Sequence, residues 1–236
     1  MQKSGIEYLT HVWNFQTGCH NQENGVCTLP CWAKAMAKRF HKDFKPKLHA
    51  DKIPEPIRGT REKGRRIGVC FTGDLFGDWV DPEQETIKGL DMKTDVLHMV
   101  KLCPDDQFFF LTKCPWNLSK WGMFPDNAWV GTSVCNDVML TKAFKPMQEV
   151  NAKNKWLSIE PLLSWNMSKE DTAWTLKEMG ISWLVIGGQT NPTKLPDKEW
   201  INKLCYIADL ELHIPVFFKN NLKTKPDQYL RQELPR

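Results

Sequence analysis

Short apolar or β-branched runs recur along the chain at fairly even intervals, with amphipathic polar stretches between them. Seven runs read as strands, at 11–15, 67–72, 107–112, 128–134, 155–160, 183–186 and 214–218. Between them the spacing predicts helices. Residues 32–42 are rich in Ala and Lys, and 82–101 carry Ile87, Leu90, Val96, Leu97 and Val100 at helical intervals. Residues 168–179 start on a capping Ser and stop at Gly180, and 197–210 follow the same plan from Asp197. Strand, helix, strand in repetition implies parallel strands joined by crossover helices. Several strands are apolar on both faces, as a sheet covered on both sides requires. The expected fold is therefore α/β, a partial or complete TIM-like (β/α) barrel, with a doubly wound sheet as the alternative. No repeat or low-complexity segment breaks the pattern. The one long polar stretch, 54–66 (PEPIRGTREKGRR), reads as a loop, and 1–236 is expected to form a single domain.

Function in a parallel barrel gathers at the C-terminal ends of the strands. Here those ends read Asn14-Phe15, Gly73-Asp74, Lys113-Cys114, Ser133, Glu160, Gly187-Gly188-Gln189 and Lys219-Asn220. Any one of these could be an ordinary turn or capping residue; the set reads as the mouth of a site. By period-two alternation Trp156, Ser158 and Glu160 share one face, and a carboxylate at the end of such a face calls for a partner.

Composition sharpens this picture in one respect. The chain has 236 residues, 41% hydrophobic and 25% charged, with a net charge of +4, which excludes a mostly disordered or fibrous protein and allows a nucleic-acid partner without requiring one. The unusual counts are eight Cys and eleven Trp. Residues 1–10 hold no signal-peptide core, and no apolar run approaches the roughly 20 residues that span a bilayer. The expectation is a cytoplasmic protein in a reducing setting, where clustered cysteines speak for metal or catalysis rather than crosslinks.

Three of the cysteines, Cys19, Cys27 and Cys31, lie within thirteen residues in GCHNQENGVCTLPCW, after the first strand and before the first helix. Three thiolates at this density can hold zinc or an iron–sulfur cluster. Structural zinc closes with four ligands, and His20, His41 and His49 are the nearby candidates for the fourth. No second CxxC pair follows, so a [4Fe–4S] cluster with one iron open is the favoured reading. Cys70, Cys103 and Cys205 read as core or incidental, while Cys114 and Cys135 follow neighbouring strands near the expected mouth.

The stretches WNFQTGC, GVCTLPCWA, LHADKIPEP, GDLFGDWV, FFFLTKCP, NAWVGTSV, SIEPLL, WLVIGGQT, IPVFFKN and YLRQELPR span nearly the whole chain. On them the chain resembles radical S-adenosylmethionine (SAM) proteins, most closely a phage and bacterial branch with a radical-SAM-like cysteine loop. The resemblance implies that Cys19, Cys27 and Cys31 bind three irons of a [4Fe–4S] cluster and that the amino and carboxylate groups of SAM chelate the fourth. A reductase or flavodoxin-type donor would supply the electron that cleaves SAM, and the resulting radical would abstract hydrogen from a substrate. By position, the resemblance gives Gly73 and Asp74 to the SAM amino group, Ser133 and Glu160 to ribose and adenine, Gly187 and Gly188 to close backbone approach, and Trp32 to the adenine. Lys113 and Lys219 are left for an anionic substrate or the SAM carboxylate. The common spacing in that superfamily is CxxxCxxC; here it is C-x7-C-x3-C, with Pro30 beside Cys31.

Two other functions fit the same residues. One is a zinc-stabilised binding protein without catalysis. The other is a nucleic-acid-directed protein, using Arg58, Arg61, Lys63, Arg65 and Arg66 with Trp79, Trp116 and Trp121 as stacking surfaces. No GxGxxG after a strand, P-loop, HExxH or GxSxG occurs.

Overall fold

The computed structural model describes the chain apart from residues 59–61, 87–88, 226 and 236. Arg61 and Ile87, both part of the reading above, lie outside the described residues. The chain divides into two compact units, Met1–Val130 with Val150–Lys153, and Gly131–Glu149 with Asn154–Arg236.

The first unit contains strands β1 (Gln2–Lys3), β2 (His11–Trp13), β3 (Gln16–Thr17), β4 (Lys47–Leu48), β5 (Arg66–Val69) and β6 (Gln107–Thr112). Its helices are α1 (Trp32–Arg39) and α2 (Met92–Lys101). β2 pairs parallel with β5, and β5 parallel with β6, while β1 adds an antiparallel edge to β2. β3 and β4 form a separate antiparallel pair. Strand β7 (Ala128–Val134) begins in the first unit and ends in the second. The second unit continues with α3 (Asp137–Glu149), β8 (Asn154–Ile159), α4 (Lys169–Glu178), β9 (Ile181–Ile186), β10 (Gln189–Thr190), β11 (Thr193–Lys194), α5 (Lys198–Tyr206) and β12 (Val216–Phe218). β8, β9 and β12 pair parallel, and β10 with β11 forms a short hairpin. The strands follow the order β1-β2-β5-β6-β7-β8-β9-β12 in one mostly parallel eight-stranded sheet of a mixed α/β fold.

The strands read from the apolar runs are present, most with ends moved by one to three residues. The first stops at Trp13 and the last begins at Val216; beside them the Phe15 carbonyl accepts the His49 N–H at 2.6 Å and the Ile214 N–H donates to the Ala208 carbonyl at 2.9 Å. Phe108, Phe109 and Phe110 of β6 are all fully buried, as are all residues of β7, so the double-sided apolar pattern matches strands covered on both faces. In the second unit the rings of Trp156 and Trp183 lie 5.2 Å apart, and Trp183 Nε1 donates to the Glu233 carbonyl at 3.0 Å. Gly131 makes that packing feasible: a Cβ there would stand 2.5 Å from Trp156 Nε1.

Three readings are corrected. The helix expected over 82–101 spans only Met92–Lys101: Asp91 accepts the Thr94 N–H at 2.8 Å as N-cap, and Glu85 pairs with Asp91 in an antiparallel bridge. Helix α3 was not expected; Pro146 sits inside it and breaks the usual sequence signal. Cys70 follows β5 rather than lying within it, in a left-handed turn with φ +57°.

The basic loop also folds differently from an exposed patch. Arg65 is buried against buried Asp106, with its Nε at 3.1 Å and its Nη2 at 2.5 Å from one carboxylate oxygen, and Asp106 also accepts the Arg65 N–H at 2.9 Å. Arg66 Nε donates to the Tyr8 carbonyl at 2.8 Å, and Trp121 is 3% exposed. Removing one member of a buried pair leaves the other charge uncompensated. Asp106→Ala is therefore expected to lower unfolding free energy by about 3–5 kcal/mol, read as a shifted urea midpoint; an unchanged midpoint would show that the pair is not buried in solution.

Candidate functional site

The cysteine loop begins where the backbone leaves β3. Gly18 adopts φ +79°, and a Cβ on it would stand 2.2 Å from the Lys45 carbonyl oxygen, so only glycine fits. Its N–H donates to the Thr72 carbonyl at 3.2 Å, and it bridges to Gly73. A Cβ on Gly73 would stand 2.6 Å from the Gly18 carbonyl oxygen. Gly73, which the resemblance gives to the SAM amino group, is thus packed against the backbone that leads into Cys19.

One residue organises the loop from inside. Asn21 is buried; its carbonyl accepts the N–H groups of Val26 and Cys27 at 2.9 Å each, which folds the loop back and sets the position of Cys27. Its side chain donates to Asp74 Oδ2 at 2.8 Å and accepts from the Cys114 thiol at 3.2 Å. Asp74, itself buried, also accepts from Thr112 Oγ1 at 2.7 Å, from the Lys113 N–H at 3.0 Å and from the Phe76 N–H at 3.1 Å. A single carboxylate therefore joins the loop to the segments following β5 and β6. Burial pushes the Asp74 carboxyl up from its ordinary value, and the four hydrogen bonds pull it back.

The three thiols of the loop are free and half-buried. Burial pushes the Cys19 thiol up to about 12; the Asn21 N–H donating to its sulfur opposes this, and the neighbouring Asp74, Cys31 and Cys27 groups raise it further. Cys31 ends the loop as the residue before α1. Among the described residues, no three His, Cys, Asp or Glu side chains stand arranged around a single point as ligands of one metal ion. Cys114 is buried at the same place, and burial, with Asp74, Asp78 and Cys19 beside it, pushes its thiol up. Among the described residues two buried polar atoms at the loop have no hydrogen-bond partner: Thr72 Oγ1, beside the Gly18 contact, and Nε1 of Trp79, whose ring packs edge-on against His20 at 5.3 Å.

Of the other expected residues in the first unit, Lys113 is half-buried next to Asp74, while Trp32 is 56% exposed at the start of α1. His49, a candidate fourth ligand, instead meets Thr17 Oγ1 at 3.0 Å, and burial lowers its pKa.

In the second unit the structure brings four of the expected residues together. Ser158 Oγ donates to Glu160 at 3.1 Å, as the shared strand face required, and Lys219 Nζ lies 3.6 Å from the other Glu160 oxygen. A Cβ on Gly187 would stand 3.1 Å from Glu160 Cγ and 3.2 Å from Lys219 Cγ, so this glycine admits the ion pair. Gly188 exchanges two hydrogen bonds with the Asn221 side chain, 3.0 and 2.6 Å. Ser133 is buried near the end of β7.

Sequence reasoning missed Asn21 and Thr112. Neither stands in a motif; each is set by a contact across at least 38 residues of chain.

A family model described as "Protein of unknown function (DUF5131)" matches residues 3–233, and the chain belongs to that family. No curated protein and no solved structure matches it.

Because Asp74 satisfies four donors, Asp74→Ala is expected to cost about 3 kcal/mol or more, and Asn21→Ala about 1–3 kcal/mol. Both variants should speed the labelling of Cys19 and Cys114 by a thiol reagent. Measured rates equal to those of the parent protein would show that this network does not hold the loop.

Proposed function

We propose that the chain is a radical SAM enzyme whose Cys19, Cys27 and Cys31 hold a [4Fe–4S] cluster with one iron open to SAM. The observation that carries this reading is a loop presenting three free, half-buried thiols within thirteen residues, each held by backbone hydrogen bonds. Thiolates are the ligands such a cluster takes. When bound, the reduced cluster supplies the electron for reductive cleavage of SAM, which starts hydrogen abstraction from a substrate.

The residues of the first unit have separate parts. Asn21 and Asp74 position the loop rather than touch a ligand, since both Asp74 oxygens are already in use. Among the described residues Thr72 Oγ1 and Trp79 Nε1 are buried beside the loop without a hydrogen-bond partner. Cys114 is buried on the inner side of the loop. Closure of the parallel sheet as a partial barrel belongs to the same proposal, as does a cytoplasmic setting, whose reducing poise preserves free thiols. Among the described residues no helix is long and apolar enough to cross a membrane.

Anaerobic purification tests the reading. The protein should be brown, contain iron and sulfide, and show electron-spin spectra that change when SAM is added. Each of Cys19→Ser, Cys27→Ser and Cys31→Ser should lose most of the iron, whereas Cys205→Ser keeps it. Asn21→Ala should weaken metal retention by about ten-fold or more. Colourless, iron-free protein after reconstitution would overturn the proposal, and stoichiometric zinc in its place would assign the loop to a zinc-stabilised binding protein.

A further inference from the structure

The second unit has a sheet edge that the chain covers with a piece of itself. β12 ends the strand order, so one of its sides pairs with β9 and the other has no strand of the sheet beside it. Such a side is a row of N–H and C=O groups ready to pair with an extended segment. Residues 231–233 run along it antiparallel. Phe217 bridges Gln232, the Phe218 N–H donates to the Arg231 carbonyl at 2.7 Å, and the Glu233 N–H donates to the Val216 carbonyl at 3.1 Å. The Val216 N–H donates to Glu233 Oε2 at 2.9 Å.

Side chains make this seat specific. Leu230 is buried. Arg231 forks onto Asp209, in the helical turn Ile207–Leu212 after α5, with Nη1 and Nη2 donating to its two oxygens at 3.0 and 2.7 Å. The same Nη2 donates to Glu233 Oε2 at 2.7 Å. Gln232 Nε2 donates to the Phe218 carbonyl at 3.2 Å and to Asn220 Oδ1 at 3.1 Å, the residues on either side of Lys219. The occupant of this edge therefore touches both neighbours of the lysine that pairs with Glu160. The stretch leading to the segment bonds to itself instead. Gln228 Oε1 accepts from the Thr224 N–H and Oγ1 at 2.6 and 3.0 Å, the Gln228 N–H donates to the Lys225 carbonyl at 3.2 Å, and Tyr229 is 90% exposed.

These are the features of a peptide in a strand-addition site, where main-chain hydrogen bonds supply affinity and side-chain seats supply the choice of sequence. We propose that this edge takes residues 230–234 from a second copy of the chain, in exchange for its own. A second copy is the partner the contacts select, because Asp209, the Val216 N–H and the Phe218 carbonyl are met by the chain's own Arg231, Glu233 and Gln232. Both copies carry the same edge and the same segment, so the exchange closes on itself as a two-fold dimer. All of these residues belong to the second unit, and the inference stands without the radical SAM reading.

Charge exchange across the Asp209–Arg231 contact tests it with full chains. Asp209→Arg and Arg231→Asp each set like charges opposite one another within one chain. When the two variants are mixed, both contacts can be matched between copies: the first supplies Arg231 to the second's Asp209, and the two substituted positions meet at the other contact. Native mass spectrometry of the mixture should show a heterodimer about ten-fold or more above the homodimer of either variant. The double variant Asp209→Arg, Arg231→Asp matches its contact in cis and should return to the parent's oligomeric state, which separates loss of the contact from loss of fold. Fluorescence anisotropy with a labelled peptide of residues 228–235 gives a second reading. The peptide should bind the Arg231→Asp chain about ten-fold or more tightly than the parent, whose edge is filled. Absence of a heterodimer from the mixture, or homodimers of equal abundance, would overturn the proposal. Peptide binding without a heterodimer would overturn the second copy in favour of another protein's extended segment. Equal peptide affinity for the parent and the Arg231→Asp chain would overturn the edge as the site.

Discussion

The first unit depends on one buried carboxylate. Asp74 has been taken from water, which for an unpartnered charge is prohibitive, and its place in the fold is tolerable only because four donors from three separate stretches of chain converge on it. Asn21, Thr112 and the N–H groups of Lys113 and Phe76 each give Asp74 a hydrogen bond, and Asp74 would be unsupported without them. The cysteine loop inherits its shape from this arrangement, because the same Asn21 that bonds Asp74 also receives the N–H groups of Val26 and Cys27.

Close backbone contact supplies the rest of the loop's anchorage. Gly18 and Gly73 sit against each other without side chains, and Gly18 also approaches the Lys45 carbonyl at a distance no Cβ could occupy. Glycine serves a comparable purpose in the second unit, where Gly131 gives room to Trp156 and Gly187 to the Glu160–Lys219 pair. That pair is partly open to solvent, so it orients two side chains more than it stabilises the fold. The glycines that follow strands are therefore explained first by packing within the protein, and any ligand would meet a backbone already committed to that packing.

Charge is distributed in a way that counting cannot reveal. The arginine-rich stretch at 54–66 looks like the basic surface, but its buried member is locked to Asp106 and Arg66 is turned onto the Tyr8 carbonyl. The helix α1, which reads from the sequence as a stretch rich in Ala and Lys, buries only one alanine and leaves its cations and its large apolar side chains outside. An eight-residue helix with so little buried area is held by its ends, at Cys31 and at the turn through Phe40 to Lys42, rather than by its face.

Local pattern determined the elements. Runs such as Phe108–Phe110 and Trp183–Ile186 are apolar at every position, and a chain cannot leave such residues in water, so the parallel, doubly covered strands were legible from the sequence, as were the crossover helices other than α3 and the start of α2. The clustering of Cys19, Cys27 and Cys31 was legible for the same reason: it is a matter of spacing along the chain. Strand alternation set Ser158 and Glu160 on one face, where the hydroxyl donates to the carboxylate. Tertiary structure alone decided what lies opposite what. Asn21 meets Asp74 across 53 residues and Cys114 across 93, Lys219 meets Glu160 from a different strand, and Arg65 is neutralised by Asp106 across 41. No local period encodes these contacts, because they arise when polar groups forced out of water by the packing of apolar strands must find partners wherever the fold brings them.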